Sequence, residues 1–269
     1  MIVTKLNDRE KENSINEIRI LASINHPNVI SYKEAFYDSP SCSICTVMEY
    51  ADDGDLEIKI NQKIKSKTHF TENEIWNMLF QITNGIKTLH ERKILHRDLK
   101  SANVFLFKNG QAKLGDLNVS KINKKGLLYT QTGTPYYASP EVWKNKPYDH
   151  KSDIWSLGCV IYEMTTLKPP FRGNSMEQVY NKVIRGNYDQ IPSMYSHVLS
   201  SMISSLIQVN PNSRPSCEQI INTIHNKKKV NTDKNNETFD STILLQTIKM
   251  PRNLVEINPN LPKSTYKKR

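Results

Sequence analysis

With 269 residues, 37% of them apolar, the chain can build one large domain or two lobes around a real core. Its net charge of +10 is uneven: residues 227–269 hold ten basic against four acidic side chains, a net +6, which leaves the body only mildly basic and reads as a solvated or docking tail rather than a nucleic-acid groove. There is no N-terminal targeting pattern and no apolar run near the roughly 18 residues a membrane span needs, so a soluble cytoplasmic protein is expected.

Four cysteines in a chain of this size do not make a secreted disulfide framework. Cys42 and Cys45 have metal-like spacing, but no second pair or nearby histidine follows, so reduced thiols are expected.

The first periodic stretch places Ile15, Ile18, Leu21 and Ala22 on one helical face. The spacing predicts a helix over about 8–24, stopped before His26-Pro27 because the residue preceding proline avoids the helical region. Glu17 lies beside that apolar stripe. Two strand-like runs follow, Val29 to Tyr37 and Ile44 to Met48, joined by the turn-rich Asp38-Ser39-Pro40-Ser41. Residues 48–55 then read as an acidic, exposed connection.

Thr71 with Glu74 makes a capping box that opens a helix of about five turns along Ile75, Met78, Leu79, Ile82, Ile86 and Leu89. Between the apolar run 104–107 and Ala112-Lys113-Leu114, Asn109-Gly110 predicts a two-residue hairpin turn. Lys121 to Ala138 has no usable period and reads as a long functional loop. From Asp153, residues 154–162 are apolar on nearly all sides, as in a helix at the centre of a lobe. Helical patterns recur at about 176–185, stopped by Gly186, at 197–209 and at 216–226. Beyond Lys227, Ile243-Leu244-Leu245, Ile248 and Leu254 read as the apolar anchors, so short local packing in a mostly disordered basic tail is expected.

The stretch His96-Arg97-Asp98-Leu99-Lys100-Ser101-Ala102-Asn103 supplies a carboxylate, an ammonium and a carboxamide between apolar anchors. The hairpin after it returns a second carboxylate, Asp116, to the same neighbourhood. Transfer of a phosphoryl group needs a carboxylate to position a hydroxyl, a cation for the developing charge and hard oxygen ligands for magnesium. Each is present here.

The spacing H-R-D-L-K-x-x-N, and the order of the elements around it, resemble eukaryotic protein kinases over roughly residues 8–226. Asn16 to Ser23, His96 to Leu106, Gly133 to Glu141 and the tail stretch Leu245 to Leu254 look like the NIMA-related kinases. The resemblance implies an α+β, two-lobed kinase-like fold. A truncated N-lobe over 1–50 would precede a mainly helical C-lobe over 51–226 and the basic tail over 227–269.

It also implies ATP and Mg²⁺ as cofactors, with protein serine/threonine hydroxyls as substrates. Asp98 would accept the hydroxyl proton, Lys100 would contact the transferring phosphate, and Asn103 and Asp116 would hold magnesium. Met48 would be the gatekeeper, Glu49, Tyr50 and Ala51 would bind the adenine edge through their backbone, Asp55 would reach the ribose, and Phe105 would floor the adenine. Glu17 would pair with the lysine that reaches the phosphates. Glu141 should pair with Arg214, Asp153 should brace the 96–98 turn, and His96 is then structural. Thr130 falls at the position of activating phosphorylation, where a phosphate could pair with Arg97, and Thr134 would shape the substrate groove. Microtubule, ciliary or centrosomal partners, and a cytoskeletal or ciliary location, follow from the resemblance alone.

Two departures stand out. Asp116-Leu117-Asn118 replaces the family's Asp-Phe-Gly, with Leu filling the apolar slot and Asn tolerating positive φ. No glycine-rich loop precedes the first helix, and Val3-Thr4-Lys5 only imitates the lysine motif, because 12 positions separate Lys5 from Glu17 where the family pattern has roughly 18. The expectation is a serine/threonine kinase lacking its first segment. The alternatives are a catalytically impaired binding or scaffold module, and a protein whose basic tail binds an acidic partner such as a tubulin surface or nucleic acid, with the kinase body as its support.

Overall fold

The computed structural model describes residues 7–117, 136–228 and 254–266. Helix α1 (Asp8–Ala22) buries Ile15, Ile18 and Leu21 and ends two residues before the expected point. It packs on an antiparallel hairpin of β1 (Tyr32–Asp38) and β2 (Ser43–Met48), in register at Tyr37↔Ile44 and Phe36↔Cys45.

Strand β1 begins three residues later than the 29–37 run predicts. Val29 and Ile30 are buried, but against the large lobe: Ile30 N–H donates to the Leu114 carbonyl at 2.8 Å, and Leu114 N–H donates to the Asn28 carbonyl at 2.9 Å. The apolar run is real; its second half serves the hairpin and its first half joins the lobes.

Helix α2 (Leu56–Ser66) is absent from the sequence-based expectation. Its isoleucines at 58, 60 and 64 mimic a strand's two-residue spacing, yet only Leu56 and Ile60 are buried. The N-cap is Asp55, whose Oδ1 accepts from Ile58 N–H at 2.8 Å. Helix α3 (Glu72–Glu91) carries the expected capping box between Thr71 and Glu74. It presses Gly85 against the connection between the lobes, where an added Cβ would lie 2.6 Å from the Asn28 carbonyl oxygen.

Strands β3 (Val104–Leu106) and β4 (Ala112–Leu114) pair as expected, but not through a two-residue turn. Gly110 N–H donates to the Phe107 carbonyl at 2.9 Å and Phe107 N–H donates to the Gln111 carbonyl at 3.0 Å, with Gly110 at φ 84°. This is a three-residue connection, a type I turn closed by a left-handed glycine. Asn109 needs no positive φ because its Oδ1 accepts from Gln111 N–H instead.

After α4 (Pro140–Trp143) comes the central helix α5 (His150–Thr166), buried at every position from 152 to 165. It starts three residues before Asp153, because Asp149 and Ser152 form a second capping box. Trp155 stacks on Phe171 at 5.2 Å. Around α5 lie α6 (Met176–Arg185), ended by Gly186 in the left-handed conformation at φ 63°, α7 (His197–Leu206) and α8 (Cys217–Lys228). Glu72 ties α3 to α7 and α8, accepting from Ser196 N–H and Lys227 Nζ at 2.8 Å each.

Of the tail, residues 254–266, which open with the 3-10 turn Leu254–Asn260, pack on β1; the expected anchors Ile243-Leu244-Leu245 and Ile248 lie outside the described residues.

Candidate active site

Between the small lobe (α1, β1, β2) and the large lobe lies a cavity of about 750 Å³. Its wall includes Glu17 and Ile18 of α1, Met48 to Ala51 at the exit of β2, Asp55, Asn103, Phe105, Gly115 and Asp116. Every expected nucleotide-binding position therefore reaches one space.

Asp98 and its neighbours are placed by backbone geometry. Arg97 sits at φ 68°, an uncommon conformation for a non-glycine residue. It is held there by Asp153, fully buried in α5, whose carboxylate accepts from His96 N–H and Arg97 N–H at 3.1 Å each. The expected brace is present, and two further partners complete it: His90 Nε2 at 2.7 Å and the Tyr148 hydroxyl at 2.5 Å. Burial alone would push the Asp153 carboxyl up; the bonds from His90 and Tyr148 hold it below the usual carboxylate range.

His96 is fully buried, and its ring nitrogens have no hydrogen-bond partner among the described residues. Burial pushes its pKa down, so the ring is neutral packing, not an acid or base.

Lys100 Nζ donates to Asp98 Oδ2 at 3.1 Å. Asn103 lines the cavity, and its Nδ2 donates to the Asp98 carbonyl at 2.7 Å, which leaves its amide oxygen without a partner among the described residues. Gly115 N–H donates to the Asn103 carbonyl at 3.1 Å, bringing Asp116 beside Asn103. Asp116 takes φ 52°, which Asp tolerates better than most residues. Gly115 is required by the floor: an added Cβ would lie 2.5 Å from the Phe105 ring.

The hinge is fastened from behind, a feature the sequence reading missed. Glu49 accepts from Lys113 Nζ at 2.8 and 2.7 Å and from Ser31 N–H at 2.6 Å. Burial would push the Glu49 carboxyl up, but Lys113 and Ser31 hold it low. A lysine inside the apolar run 112–114 was the available signal, since a lysine in a fully buried strand needs a partner. With its side chain occupied, Glu49 offers its carbonyl, and Ala51 its N–H, neither bonded among the described residues. Tyr50 is 84% exposed, so its ring stands in solvent. Asp55 lines the cavity while capping α2.

Glu141 and Arg214 form the expected pair, bidentate at 2.6 and 2.9 Å, with Ser152 donating to Glu141 at 2.7 Å. Tyr137 links the loop bearing Asp98 to α5, donating to Glu163 at 2.7 Å and lying 3.1 Å from Ser101 Oγ. Burial pushes the Glu163 carboxyl up. Lys5, Asn118, Lys124-Lys125, Thr130 and Thr134 lie outside the described residues. Arg97 is described, and its expected phosphate partner is not.

The chain belongs to the protein kinase domain family, whose profile matches residues 1–225. Within that family its relatives are NIMA-related kinases. It is 44% identical over 220 residues to the human serine/threonine-protein kinase Nek5, covering 81% of this chain and 30% of that protein. Mouse serine/threonine-protein kinase Nek1 is 41% identical over 221 residues, 81% of this chain and 18% of the relative. The probable serine/threonine-protein kinase nek2 of Dictyostelium discoideum is 40% identical over 220 residues, 80% and 53%. The chain thus spans between about a fifth and about half of these relatives' lengths.

Proposed function

We propose that this chain transfers the γ-phosphoryl group of ATP to serine or threonine hydroxyls of proteins. The observation that carries the reading is that Asn103 and Asp116 line the same cavity as Glu49 and Ala51, while Asp98, in contact with Lys100, is hydrogen-bonded to Asn103. Adenine would lie on Phe105, with its edge against the Glu49 carbonyl and Ala51 N–H. Asp98 would orient the acceptor hydroxyl and take its proton, and Lys100 would meet the charge on the transferring group.

The Asn103 oxygen, which has no partner among the described residues, and the Asp116 carboxylate are hard oxygen donors suited to Mg²⁺, which would neutralise phosphate charge there. Glu17, on the α1 wall, would orient a lysine toward the phosphates. Thr130 and Thr134 are proposed as regulatory positions, with Arg97 as the phosphate partner of Thr130. A cytoplasmic site of action with microtubule, centrosomal or ciliary partners rests on the resemblance to NIMA-related kinases. Among the described residues no helix is long and apolar enough to cross a membrane.

A second reading is a catalytically impaired, kinase-like binding or scaffold module. Transfer from ATP to casein by the purified chain, lowered about 10²–10⁴-fold in Asp98→Asn with ATP affinity kept, is the expected result. ATP binding without any transfer would favour the scaffold, and failure to bind ATP would remove both readings.

A further inference from the structure

The tail is seated on the lobe it does not follow in sequence. Helix α8 belongs to the large lobe, yet residues 254–266 lie along β1 in the small one. Ile257 is fully buried and Leu261 is 7% exposed, within the apolar cluster that holds Ile15, Ile18, Tyr32 and Ala35. The polar contacts are specific. Tyr37 N–H donates to Asn258 Oδ1 at 2.7 Å, the Tyr32 hydroxyl to the Pro262 carbonyl at 2.8 Å, and Thr265 N–H to the Lys33 carbonyl at 2.8 Å. The Thr265 hydroxyl adds a bond to the Tyr32 carbonyl at 3.2 Å.

Tyr37 N–H and Lys33 C=O are edge groups of a sheet that has two strands among the described residues. Two strands alone are marginal, and an unpaired edge invites other chains. The tail meets both needs at once, covering apolar surface and satisfying edge groups. Strand β1 in turn packs on α1, which carries Glu17 to the cavity wall.

We infer that Leu254–Tyr266 is a docking clasp, seated on the β1 edge of its own chain, and that its seating positions α1 and thereby the nucleotide cavity. The control over phosphate transfer rests on the kinase reading; the clasp and its hold on α1 do not. Ile257 and Leu261 are positioning residues, since neither lines the cavity.

The test is hydrogen exchange and ATP titration on the full chain carrying Ile257→Asp with Leu261→Asp. The expected result is at least 10-fold faster exchange at the Tyr37 amide and through residues 14–22, unchanged exchange in α3, and at least 10-fold weaker ATP binding. A synthetic 254–266 peptide should restore both. Equal protection of Tyr37 in the variant would overturn the seat, and a deprotected Tyr37 with unchanged α1 would overturn its hold on α1.

If the double variant loses protection in α3 as well, Asn258→Ala serves instead. It removes one acceptor from an exposed position and should speed exchange at Tyr37 and α1; no change at either would count against the clasp. Protection that rises with protein concentration, with dimers in sedimentation, would replace the chain's own tail by a second copy's. If the unaltered chain binds no ATP, the kinase reading fails while the exchange comparison still decides the clasp.

Discussion

The two lobes hold their active-site residues by different means. In the large lobe, a buried polar frame holds the turn that bears Asp98: Asp153 of α5 with four donors, backed by the pair that Glu141 of α4 makes with Arg214 ahead of α8. In the small lobe, Glu17 rides on a helix whose supporting hairpin draws part of its cover from residues more than 200 positions away. The first frame is dense and redundant. The second depends on a few long-range contacts. Redundant hydrogen bonding keeps a strained turn such as Arg97 in place, whereas a sparsely supported helix is the element that regulation can move.

The sharpest way to break this comparison is to remove one member of the buried frame. Arg214→Met strands the Glu141 carboxylate in the interior and should cost about 3–5 kcal/mol, read as the shift in a urea-unfolding midpoint. A cost well below that would mean the large lobe is not held by its polar frame.

Next in size is the contact between the lobes. Gly85→Ala would gain about 1 kcal/mol of helix propensity. Its Cβ nevertheless meets the Asn28 backbone oxygen at 2.6 Å and Leu114 Cδ1 at 2.8 Å, so overpacking costing about 1–3 kcal/mol should win. Stabilisation of this variant would show that the 24–31 connection is free to move away from α3.

Acid titration probes the same connection. Burial, with Arg92 nearby, pushes the His26 pKa from 6.5 down to about 4, and His26 Nδ1 accepts from Asn28 N–H. The unfolded chain takes up that proton first as pH falls. The contribution is therefore complete above pH 6.5 and is lost on going down toward pH 4. Because His26 is only half-buried, the expected loss is about 1 kcal/mol, and His26→Asn should flatten the urea midpoint across that window. A second loss belongs to the large lobe. Burial opposes ionisation of Glu72, but Lys227 and Ser196 bring its pKa to about 2, so its contribution is present above 4.5 and fades as pH falls toward 2.

The smallest effect is local. Thr71→Ala removes the cap of α3 and should cost about 1 kcal/mol, measured by thermal unfolding.

Signals carried by neighbouring residues were legible in the sequence. The capping box at Thr71, the glycine stop at Gly186 and the all-apolar stretch after Asp153 each report a local preference, and each element formed there. The run His96 to Asn103 was legible for the same reason, because phosphoryl transfer, the function proposed for it, requires those residue types at short fixed offsets. Helix α2 was not, since its β-branched residues at two-residue spacing give a strand's pattern while one face of the helix meets solvent. Lys113 was read as part of an apolar hairpin because its partner, Glu49, is 64 positions away.

Sequence by itself determined most of the helices and the group of residues proposed for phosphoryl transfer, because both depend on residues within a few positions of one another. Tertiary structure alone decided that Val29 and Ile30 join the lobes, that His90 and Tyr148 complete the Asp153 hub, and that the tail closes the edge of β1. Those outcomes turn on which buried donor or apolar face finds its partner across long stretches of chain, and local pattern carries no record of that choice.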